Sequence, residues 1–446
     1  MKIVIIGNGI SGVTAARHIR KRSDHEILLV SGETDYFFSR TALMYIYMGH
    51  MEYHHTKPYE DWFWEKNRID LLRDWITEVD TDNKQLVRSN GFRINYDKLI
   101  IACGSRSNLF GWHGQDLDGV QSLYSYQDLQ QLEQNTNRKV DRAVIVGGGL
   151  IGIELAEMLQ SRKIPTTLLV REKSYWDNVL PPGESDLISR HIREHGFDLR
   201  LGEELDKILP DENGRVKAVK TKSGELVNTQ LVCLTAGVSP NISWLSNSSI
   251  ETKRGILINK RFETNIPDIY AIGDCAEFRD PPPGRRNIEQ VWYTGKMHGE
   301  ILGKNIADNN DDQYNPGPWF NSAKFLDIEY QTYGTVYPKN KADENSFYWE
   351  DDDGKRCVHF VYNKDTTELK GINLFGIRAR HDLFHKWLKE KRTMDYVIEN
   401  LGASSFDPEF YRSYEKKLIK KYNEEFNANL KLKKRGFSAF LNLINT

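Results

Sequence analysis

The sequence is poor in cysteine and has no closely spaced cysteine pair. Its four cysteines are Cys103, Cys233, Cys275 and Cys357, and no two of them form a CxxC or CxxxxC pair. This spacing argues against a disulfide framework, a cysteine-ligated metal site and an exported protein. A reducing cytoplasm is therefore the expected compartment, and packing rather than catalysis is the expected role of the thiols.

Two further absences narrow the classes of function. The 61 Lys and Arg residues nearly balance the 63 Asp and Glu residues, so the composition indicates no nucleic-acid partner. No stretch approaches the roughly 18 to 20 apolar residues that a membrane-spanning helix requires. A length of 446 residues predicts two or three domains.

Three neighbouring histidines do not form a recognisable metal site. His50, His54 and His55 have no fixed ligand spacing and no accompanying pattern of acids. Protein metal sites need several ligands in a defined geometry. We therefore expect surface or capping histidines here and no metal site in the protein.

The chain carries an internal repeat of a glycine-rich motif. Each copy follows an apolar strand, "KIVII" or "AVIV", and opens an amphipathic helix, which is the context that a dinucleotide-binding motif requires. Glycine permits the tight turn and the close approach of a pyrophosphate, whose charge then lies at the positive end of the helix. The two G-x-G-x-x-G motifs consist of Gly7, Gly9, Gly12, Gly147, Gly149 and Gly152. The sequence thus predicts two dinucleotide sites.

The end of the second strand in each unit is expected to meet the ribose. The position is Ser31 in the first unit and Arg171 in the second, and neither is the acid that would hold a ribose 2′-hydroxyl. In the first unit Glu33 is the alternative acid. In the second unit an arginine suits the 2′-phosphate of NADP, so NADPH is favoured over NADH. The other interpretation is that Arg171 is a solvated charge at a strand end.

Three further segments complete a family pattern. Residues 99–105, "LIIACGS", and 231–241, "LVCLTAGVSPN", resemble the paired strand-end glycine motifs of the pyridine nucleotide-disulfide oxidoreductase superfamily, flavoproteins with two dinucleotide-binding domains. Residues 264–277, "TNIPDIYAIGDCAE", resemble its Gly-Asp motif. The resemblance implies FAD at the first motif and NAD(P)H at the second, with Asp274 accepting hydrogen bonds from the ribityl chain of the flavin.

The segment after the second strand indicates a branch of that superfamily. Disulfide reductases carry a redox cysteine there, whereas "YFFSRTALMYIYMG" resembles NAD(P)H-dependent ferredoxin, rubredoxin and nitrite reductases. By this resemblance Arg40 contacts the flavin and Glu154 lies beside the nicotinamide. Tyr45 stands close to the position of a lysine that pairs with this glutamate in many ferredoxin reductases. The segment "RRNIEQVW" is similar to a late flavin-side motif and adds Glu289.

The resemblance gives Arg40 and Glu154 catalytic roles. The residues assigned to FAD are Gly7, Gly9, Ile10, Ser11, Gly12, Ser31, Glu33, Arg40, Val79, Ala102, Gly104, Gly273, Asp274 and Glu289. The residues assigned to the nicotinamide nucleotide are Gly147, Gly149, Leu150, Ile151, Gly152, Glu154, Arg171 and Gly237.

The order of the motifs predicts an α/β fold with two Rossmann-like domains and a C-terminal α+β domain. The FAD-binding domain is expected in two pieces, 1–110 and 245–320, because the Gly-Asp segment returns after the second unit. The NAD(P)-binding domain, 111–244, is inserted between them. In residues 321–446, alternating segments and the turn "DDDGK" predict an antiparallel meander, with helices from about 381. This region resembles the small C-terminal domain of the same superfamily, and the resemblance implies that it covers the flavin or forms a homodimer.

The end of the chain is first basic and then apolar. The basic residues are Lys431, Lys433, Lys434 and Arg435, and Phe437, Phe440, Leu441 and Ile444 follow at helical spacing. A helix that docks on its own domain or on a dimer mate is favoured. The alternative is peripheral attachment to an anionic membrane at its inner face.

Together these features predict an FAD-dependent NAD(P)H oxidoreductase that works without a cysteine disulfide. Hydride passes from NAD(P)H to the flavin, and electrons then leave for an external acceptor. The leading interpretation of the acceptor is a small redox protein such as ferredoxin or rubredoxin, although a small molecule is also open. The alternatives are a peripheral-membrane NAD(P)H:quinone dehydrogenase, suggested by the tail, and a flavoprotein scaffold controlled by its redox state.

Overall fold

The structure, a computed structural model, describes residues 1–406 and 413–433. The chain forms two compact units. The first comprises Met1–Leu169 and Glu203–Pro316, and the second comprises Val170–Gly202 and the chain from Gly317 onward. The domain boundaries expected near residues 110, 244 and 320 stay predictions.

The strands are short and numerous in both units. They are β1 Lys2–Ile6, β2 Glu26–Ser31, β3 Ile69–Arg73, β4 Ile76–Asp80, β5 Gln85–Arg88, β6 Arg93–Asn95, β7 Lys98–Ile101, β8 Ser105–Ser107, β9 Val120–Gln121, β10 Ala143–Val146, β11 Thr166–Val170, β12 Asp198–Leu201, β13 Leu205–Pro210, β14 Val216–Thr221, β15 Leu226–Asn228, β16 Leu231–Leu234, β17 Val238–Pro240, β18 Ile256–Ile258, β19 Ile269–Ala271, β20 Ala276–Phe278, β21 Phe320–Phe325, β22 Ile328–Gly334, β23 Glu344–Glu350, β24 Cys357–Asn363 and β25 Leu369–Phe375.

The α-helices are given in chain order, from the helix of the first glycine motif to those of the C-terminal region. They are α1 Ile10–Arg20, α2 Leu43–Tyr47, α3 Trp62–Lys66, α4 Tyr126–Thr136, α5 Leu150–Ser161, α6 Pro182–Glu194, α7 Trp292–Asp308, α8 His381–Lys389, α9 Met394–Asn400 and α10 Glu415–Phe426.

The strand that precedes the first glycine motif is central in a parallel sheet. The strand order is β19-β7-β1-β2-β3, and every neighbouring pair is parallel. Ile3, Val4 and Ile5 of β1 are fully buried, as expected for a parallel strand that is covered on both faces. The carboxyl end of β1 therefore delivers Gly7 to the middle of the sheet edge, where parallel α/β folds bind ligands.

The second glycine motif repeats this arrangement. Strand β10 pairs in parallel with β11 on one side and β16 on the other. The first glycine of each motif donates a hydrogen bond to the second strand of its unit: Gly7 N to Val30 O, 2.7 Å, and Gly147 N to Leu169 O, 3.0 Å. The internal repeat is thus structural, and the predicted α/β class with Rossmann-type parallel sheets is confirmed.

Helix α1 packs closely on α7 through a stripe of glycines in α7. Gly295, Gly299 and Gly303 recur every four residues and so lie on one helical face. A Cβ on Gly299 would clash with the backbone oxygen of Ser11, and a Cβ on Gly303 would lie 2.7 Å from the Cβ of His18. The backbones of the two helices therefore approach each other directly.

The second unit contains an antiparallel sheet of order β21-β22-β25-β24-β23. The antiparallel arrangement was predicted, but the meander was wrong, because β25 lies between β22 and β24. The connection from β22 to β23 spans residues 335–343 and carries the chain past the positions that β25 and β24 fill. Helices α8, α9 and α10 contribute Phe384, Val397 and Leu418 to the core of this unit.

The described part of the tail contacts helix α9 within the second unit. Lys433 donates its backbone N–H to Glu399 O at 2.8 Å, and its Nζ lies 2.9 Å from Glu399 Oε2. The predicted basic and apolar positions further on, Lys434, Arg435, Phe437, Phe440, Leu441 and Ile444, lie outside the described residues. Among the residues that are described, no helix is long and apolar enough to cross a membrane.

Candidate functional site

The first glycine loop exposes its backbone at Gly9. Gly7 has a φ of +110°, and a Cβ there would clash with Ala102 O. At Gly9, in contrast, a Cβ would meet no atom of the described residues within 4 Å, and α1 begins at the next residue, Ile10. The loop thus presents bare backbone and the positive end of a helix, which is the arrangement that binds a pyrophosphate.

This loop borders a cavity of about 780 Å³, a volume typical of cofactor pockets. Both sequence segments of the first unit contribute to its lining, which includes Trp75 from Met1–Leu169 and Gln290 and Trp292 from Glu203–Pro316. The residues assigned to FAD that line it are Gly7, Gly9, Ile10, Ser11, Ser31, Glu33, Arg40, Ala102, Gly104 and Asp274. An open glycine loop and an acid in one cavity fit a dinucleotide such as FAD.

Four residues assigned to FAD do not line this cavity. A Cβ on Gly12 would clash with Gly7 O, so this glycine lets the loop pack on its own helix. Val79 is a core residue of β4, and Gly273 precedes Asp274 in a turn. The fourth residue is Glu289, which forms an ion pair with Arg285.

Glu289 is buried in a different interaction. Its carboxylate forms two hydrogen bonds with Arg285, Nε to Oε1 at 2.6 Å and Nη2 to Oε2 at 2.5 Å. The next residue, Gln290, lines the cavity instead and donates from Nε2 to Ser105 Oγ at 2.6 Å. Sequence reasoning missed Gln290, although it lies in the same "IEQVW" segment.

Glu33 and Arg40 form a bidentate ion pair at the cavity. Arg40 Nη1 lies 2.8 Å from Glu33 Oε1, and Nη2 lies 2.5 Å from Oε2. Arg40 Nη1 also donates to Tyr124 O at 2.6 Å. Burial acts to lower the pKa of Arg40, but the adjacent Glu33 carboxylate outweighs it, so the pKa is raised. The guanidinium therefore keeps both its charge and its orientation.

Asp274 brings a half-buried acid to the cavity. It lies in the turn Gly273–Cys275, just after β19, and its Oδ2 accepts a hydrogen bond from Ser105 Oγ at 3.2 Å. Burial raises the pKa of Asp274, while the bond from Ser105 acts in the opposite direction. Because a carboxylate offers about four acceptor positions, Asp274 retains acceptor capacity for hydroxyl groups of a ligand.

The second glycine motif reaches the same cavity. Gly147 has a φ of +128°, with Thr235 O 2.6 Å from the position of a Cβ. In the part of the chain that the structure describes, a Cβ on Gly149 would meet nothing within 4 Å. Helix α5 begins at Leu150, and its first turns contribute Ile151 and Glu154 to the cavity lining.

The other residues assigned to the nicotinamide nucleotide lie elsewhere. Gly152 is buried inside α5, and Gly237 has a φ of +85° just before β17. Arg171 directly follows β11, and its Nε lies 2.8 Å from Glu172 Oε1. With 71% of its side chain exposed, Arg171 is accessible from solvent.

Comparison with known proteins identifies the family. The model of the family described as pyridine nucleotide-disulphide oxidoreductase matches residues 1–299. The chain belongs to this family.

Named relatives agree with this assignment. The chain is 31% identical over 347 residues to an NADH oxidase of Methanocaldococcus jannaschii, which covers 74% of this chain and 75% of that protein. It is 30% identical over 313 residues to an NADH-rubredoxin oxidoreductase of Clostridium acetobutylicum, covering 69% of this chain and 74% of that one. The fold is similar to that of an NAD-dependent persulfide reductase from A. fulgidus, with a TM-score of 0.82, 20% identity, and coverage of 96% of this chain and 84% of that chain.

The predicted superfamily and enzyme class are therefore confirmed. This member of the pyridine nucleotide-disulphide oxidoreductase family is an FAD-dependent NAD(P)H oxidoreductase of the rubredoxin and ferredoxin reductase-like branch.

The cysteines of this oxidoreductase are held in structural interactions. Cys103 lines the cavity and donates from Sγ to Asn241 O at 3.1 Å. A hydrogen bond with Cys103, together with burial, raises the pKa of Cys275. Burial raises the pKa of Cys233 to about 12 and also raises that of Cys357. Thiols with raised pKa values are poor nucleophiles, because the thiolate is the reactive form.

Proposed function

We propose that the protein transfers electrons from NAD(P)H, bound at the second glycine loop, through FAD, bound at the first, to a small redox protein. The observation that carries this proposal is that Ile151 and Glu154 of α5 line the same cavity as Gly9 and Asp274. A nicotinamide held at α5 would lie next to a flavin held along α1. When bound, FAD supplies the chemistry by accepting a hydride and releasing the electrons singly or in pairs.

The chain's own residues would bind and orient the two cofactors. The open backbone at Gly9 and the start of α1 would bind the pyrophosphate of FAD, and Asp274 would accept hydrogen bonds from its ribityl hydroxyls. Arg40, fixed by Glu33 and by Tyr124 O, would present a positive charge to the flavin. Glu154 would orient the nicotinamide end.

A small iron–sulfur or rubredoxin-type protein is the acceptor that we favour. The relative named NADH-rubredoxin oxidoreductase and the "FFSRTAL" segment support this choice. The engaged cysteines support a route that uses no disulfide, so electrons would leave the flavin directly. For the donor we favour NADPH, because Arg171 stands at the end of β11 where a 2′-phosphate would bind.

An acceptor screen tests this function. The purified flavoprotein is reduced anaerobically with NADPH, and reoxidation is followed at the flavin absorbance with rubredoxin, ferredoxin, a water-soluble quinone or oxygen. We expect turnover with one of the carrier proteins to be at least tenfold faster than with quinone or oxygen. Fastest turnover with quinone or oxygen would refute the carrier, and slow turnover with every acceptor would indicate a scaffold.

A further inference from the structure

The second unit contains a cluster of two histidines and an aspartate. His191 and His195 lie one turn apart at the carboxyl end of α6, and Asp327 lies in the turn between β21 and β22. His191 Nε2 is 2.5 Å from Asp327 Oδ1, and His195 Nε2 is 3.3 Å from the same oxygen. One potential ligand atom of each residue lies within 4.8 Å of the others.

We propose that His191, His195 and Asp327 bind one Zn²⁺ ion, with water completing the coordination. Zinc bonds of about 2.0 to 2.1 Å in a tetrahedron place neighbouring ligand atoms roughly 3.3 Å apart, so small side-chain shifts suffice here. Two imidazoles and one carboxylate form a ligand set that zinc accepts. The Asp327 side chain is 56% exposed, which gives an ion and its water access from solvent.

A backbone hydrogen bond orients the ring of His195, and a carboxylate lies behind the ring of His191. His195 Nδ1 donates to His191 O at 2.9 Å, because a carbonyl oxygen can only accept, and this leaves the lone pair on Nε2. His191 is buried, and within residues 1–406 and 413–433 its Nδ1 has no hydrogen-bond partner, although Glu194 Oε2 lies 3.8 Å away. A carboxylate behind a histidine is a common outer partner in zinc sites, since it fixes the ring and strengthens the ligand.

The sequence of α6 supports the same assignment. Residues 191–195 read "HIREH", the H-x-x-E-H spacing that brings two histidines to one helical face in a class of zinc enzymes. Five residues are a weak indication alone. Asp327, contributed by a separate segment, is the independent observation. The prediction of no metal site was based on His50, His54 and His55 and did not include this pattern.

Lys355 lies next to Asp327 but leaves the carboxylate oxygen Oδ1 accessible to a metal ion. Lys355 Nζ lies 3.7 Å from Asp327 Oδ2, whereas both histidines face Oδ1. The carboxylate can therefore use one oxygen for the metal and the other for the lysine. Because α6 and the β21–β22 turn belong to the two separate segments of this unit, a bound ion would link them and stabilise the folded state.

The test uses the untagged, FAD-containing protein after removal of metals with a chelator. Equilibrium dialysis against Zn²⁺ with metal analysis gives stoichiometry and affinity, and thermal melting gives the effect on stability. We expect one Zn²⁺ per chain and a higher Tm with zinc. In Asp327→Asn and in His195→Ala, both at accessible side chains, we expect affinity to fall at least tenfold and the zinc-dependent rise in Tm to vanish.

The matched control is His54→Ala/His55→Ala, which removes two other adjacent histidines and is expected to bind zinc as the wild type does. Retained flavin absorbance and an unchanged Tm without zinc show that each variant is folded. The proposal is overturned if the wild type binds no stoichiometric zinc, if both site variants bind as tightly as the wild type, or if the control variant loses binding.

Discussion

His298 accepts a hydrogen bond from the backbone N–H of Gly273, with 3.1 Å between Nδ1 and the amide nitrogen. The ring is buried against Phe262 and Phe278. An imidazole nitrogen that accepts cannot carry a proton, so the neutral form of His298 holds the turn that presents Asp274. Burial, assisted by the charge of Arg285, lowers the pKa of His298 to about 3.

This histidine makes stability depend on pH. Its folded pKa of about 3 lies below the ordinary value of 6.5, so between these values the unfolded chain binds a proton that the folded chain does not. Its contribution is complete above pH 6.5 and is lost as the pH falls toward 3, by at most about 1.4 kcal/mol per pH unit. Urea unfolding between pH 7 and 4 should show a weaker pH dependence for His298→Gln than for the wild type. Equal slopes would contradict this role.

The two glycine loops should bind different cofactors. Gly9→Val is expected to fold, since φ at Gly9 is −72°, but its side chain would enter the space of the pyrophosphate and yield colourless protein. Gly149→Val is the matched variant of the second loop, where a Cβ also meets no atom within 4 Å. It should stay yellow but show at least a tenfold higher KM for the nicotinamide nucleotide. Absorbance spectra and anaerobic reduction distinguish the two, and the reverse pattern would exchange the assignments.

Flavin reduction should not require a thiol. Replacing Cys103, Cys233, Cys275 and Cys357 by serine is expected to lower stability, because three of them are buried, and to leave the rate of flavin reduction by NADPH within about twofold. The measurement is anaerobic stopped-flow absorbance. Cys103→Ser alone is the informative control, because only Cys103 among the four lines the cavity. A folded, yellow variant that cannot be reduced would show a catalytic thiol.

Arg171 should determine the choice of coenzyme. A charge-assisted contact with the 2′-phosphate contributes about 1.5 to 3 kcal/mol, which corresponds to at least a tenfold preference for NADPH. Arg171→Glu is therefore expected to reverse the ratio of kcat/KM for NADPH and NADH. Lys173→Glu makes the same change of charge two residues away and should leave the ratio close to that of the wild type. An unchanged ratio in the Arg171 variant would assign the preference elsewhere.

The sequence predicted the parts of the site that local geometry determines. The positions of Gly7, Gly9 and Asp274 at one cavity follow from motifs at the carboxyl ends of parallel strands, which meet at one sheet edge. Glu33 and Arg40 were each assigned to the cavity, but their mutual pairing depends on how the loop between them folds. Glu289 and Gln290 are adjacent, but their side chains point in different directions. Glu289 forms a buried ion pair and Gln290 lines the cavity, and the motif alone did not predict which of the two would do so.

Local sequence patterns could not predict contacts between segments that lie far apart in the sequence. The insertion of β25 between β22 and β24 depends on the path of a loop, because β24 and β25 are both buried along nearly their whole length and would suit either position. The approach of Asp327 to His191 joins two segments far apart in sequence. The glycines of α7 have a readable spacing, but that spacing does not reveal which helix they face.

The order of strands has a consequence for the synthesis of the protein. Strand β19 and Asp274, which complete the sheet and the cavity begun by β1 and Gly7, are translated only after the whole of the second glycine unit. At about 5 to 20 residues per second, the nascent chain exposes its first glycine loop for roughly ten seconds or more before β19 and Asp274 are made. Chains released early from the ribosome therefore carry an unfinished cavity, and a cofactor that binds there can be loaded only late in biogenesis.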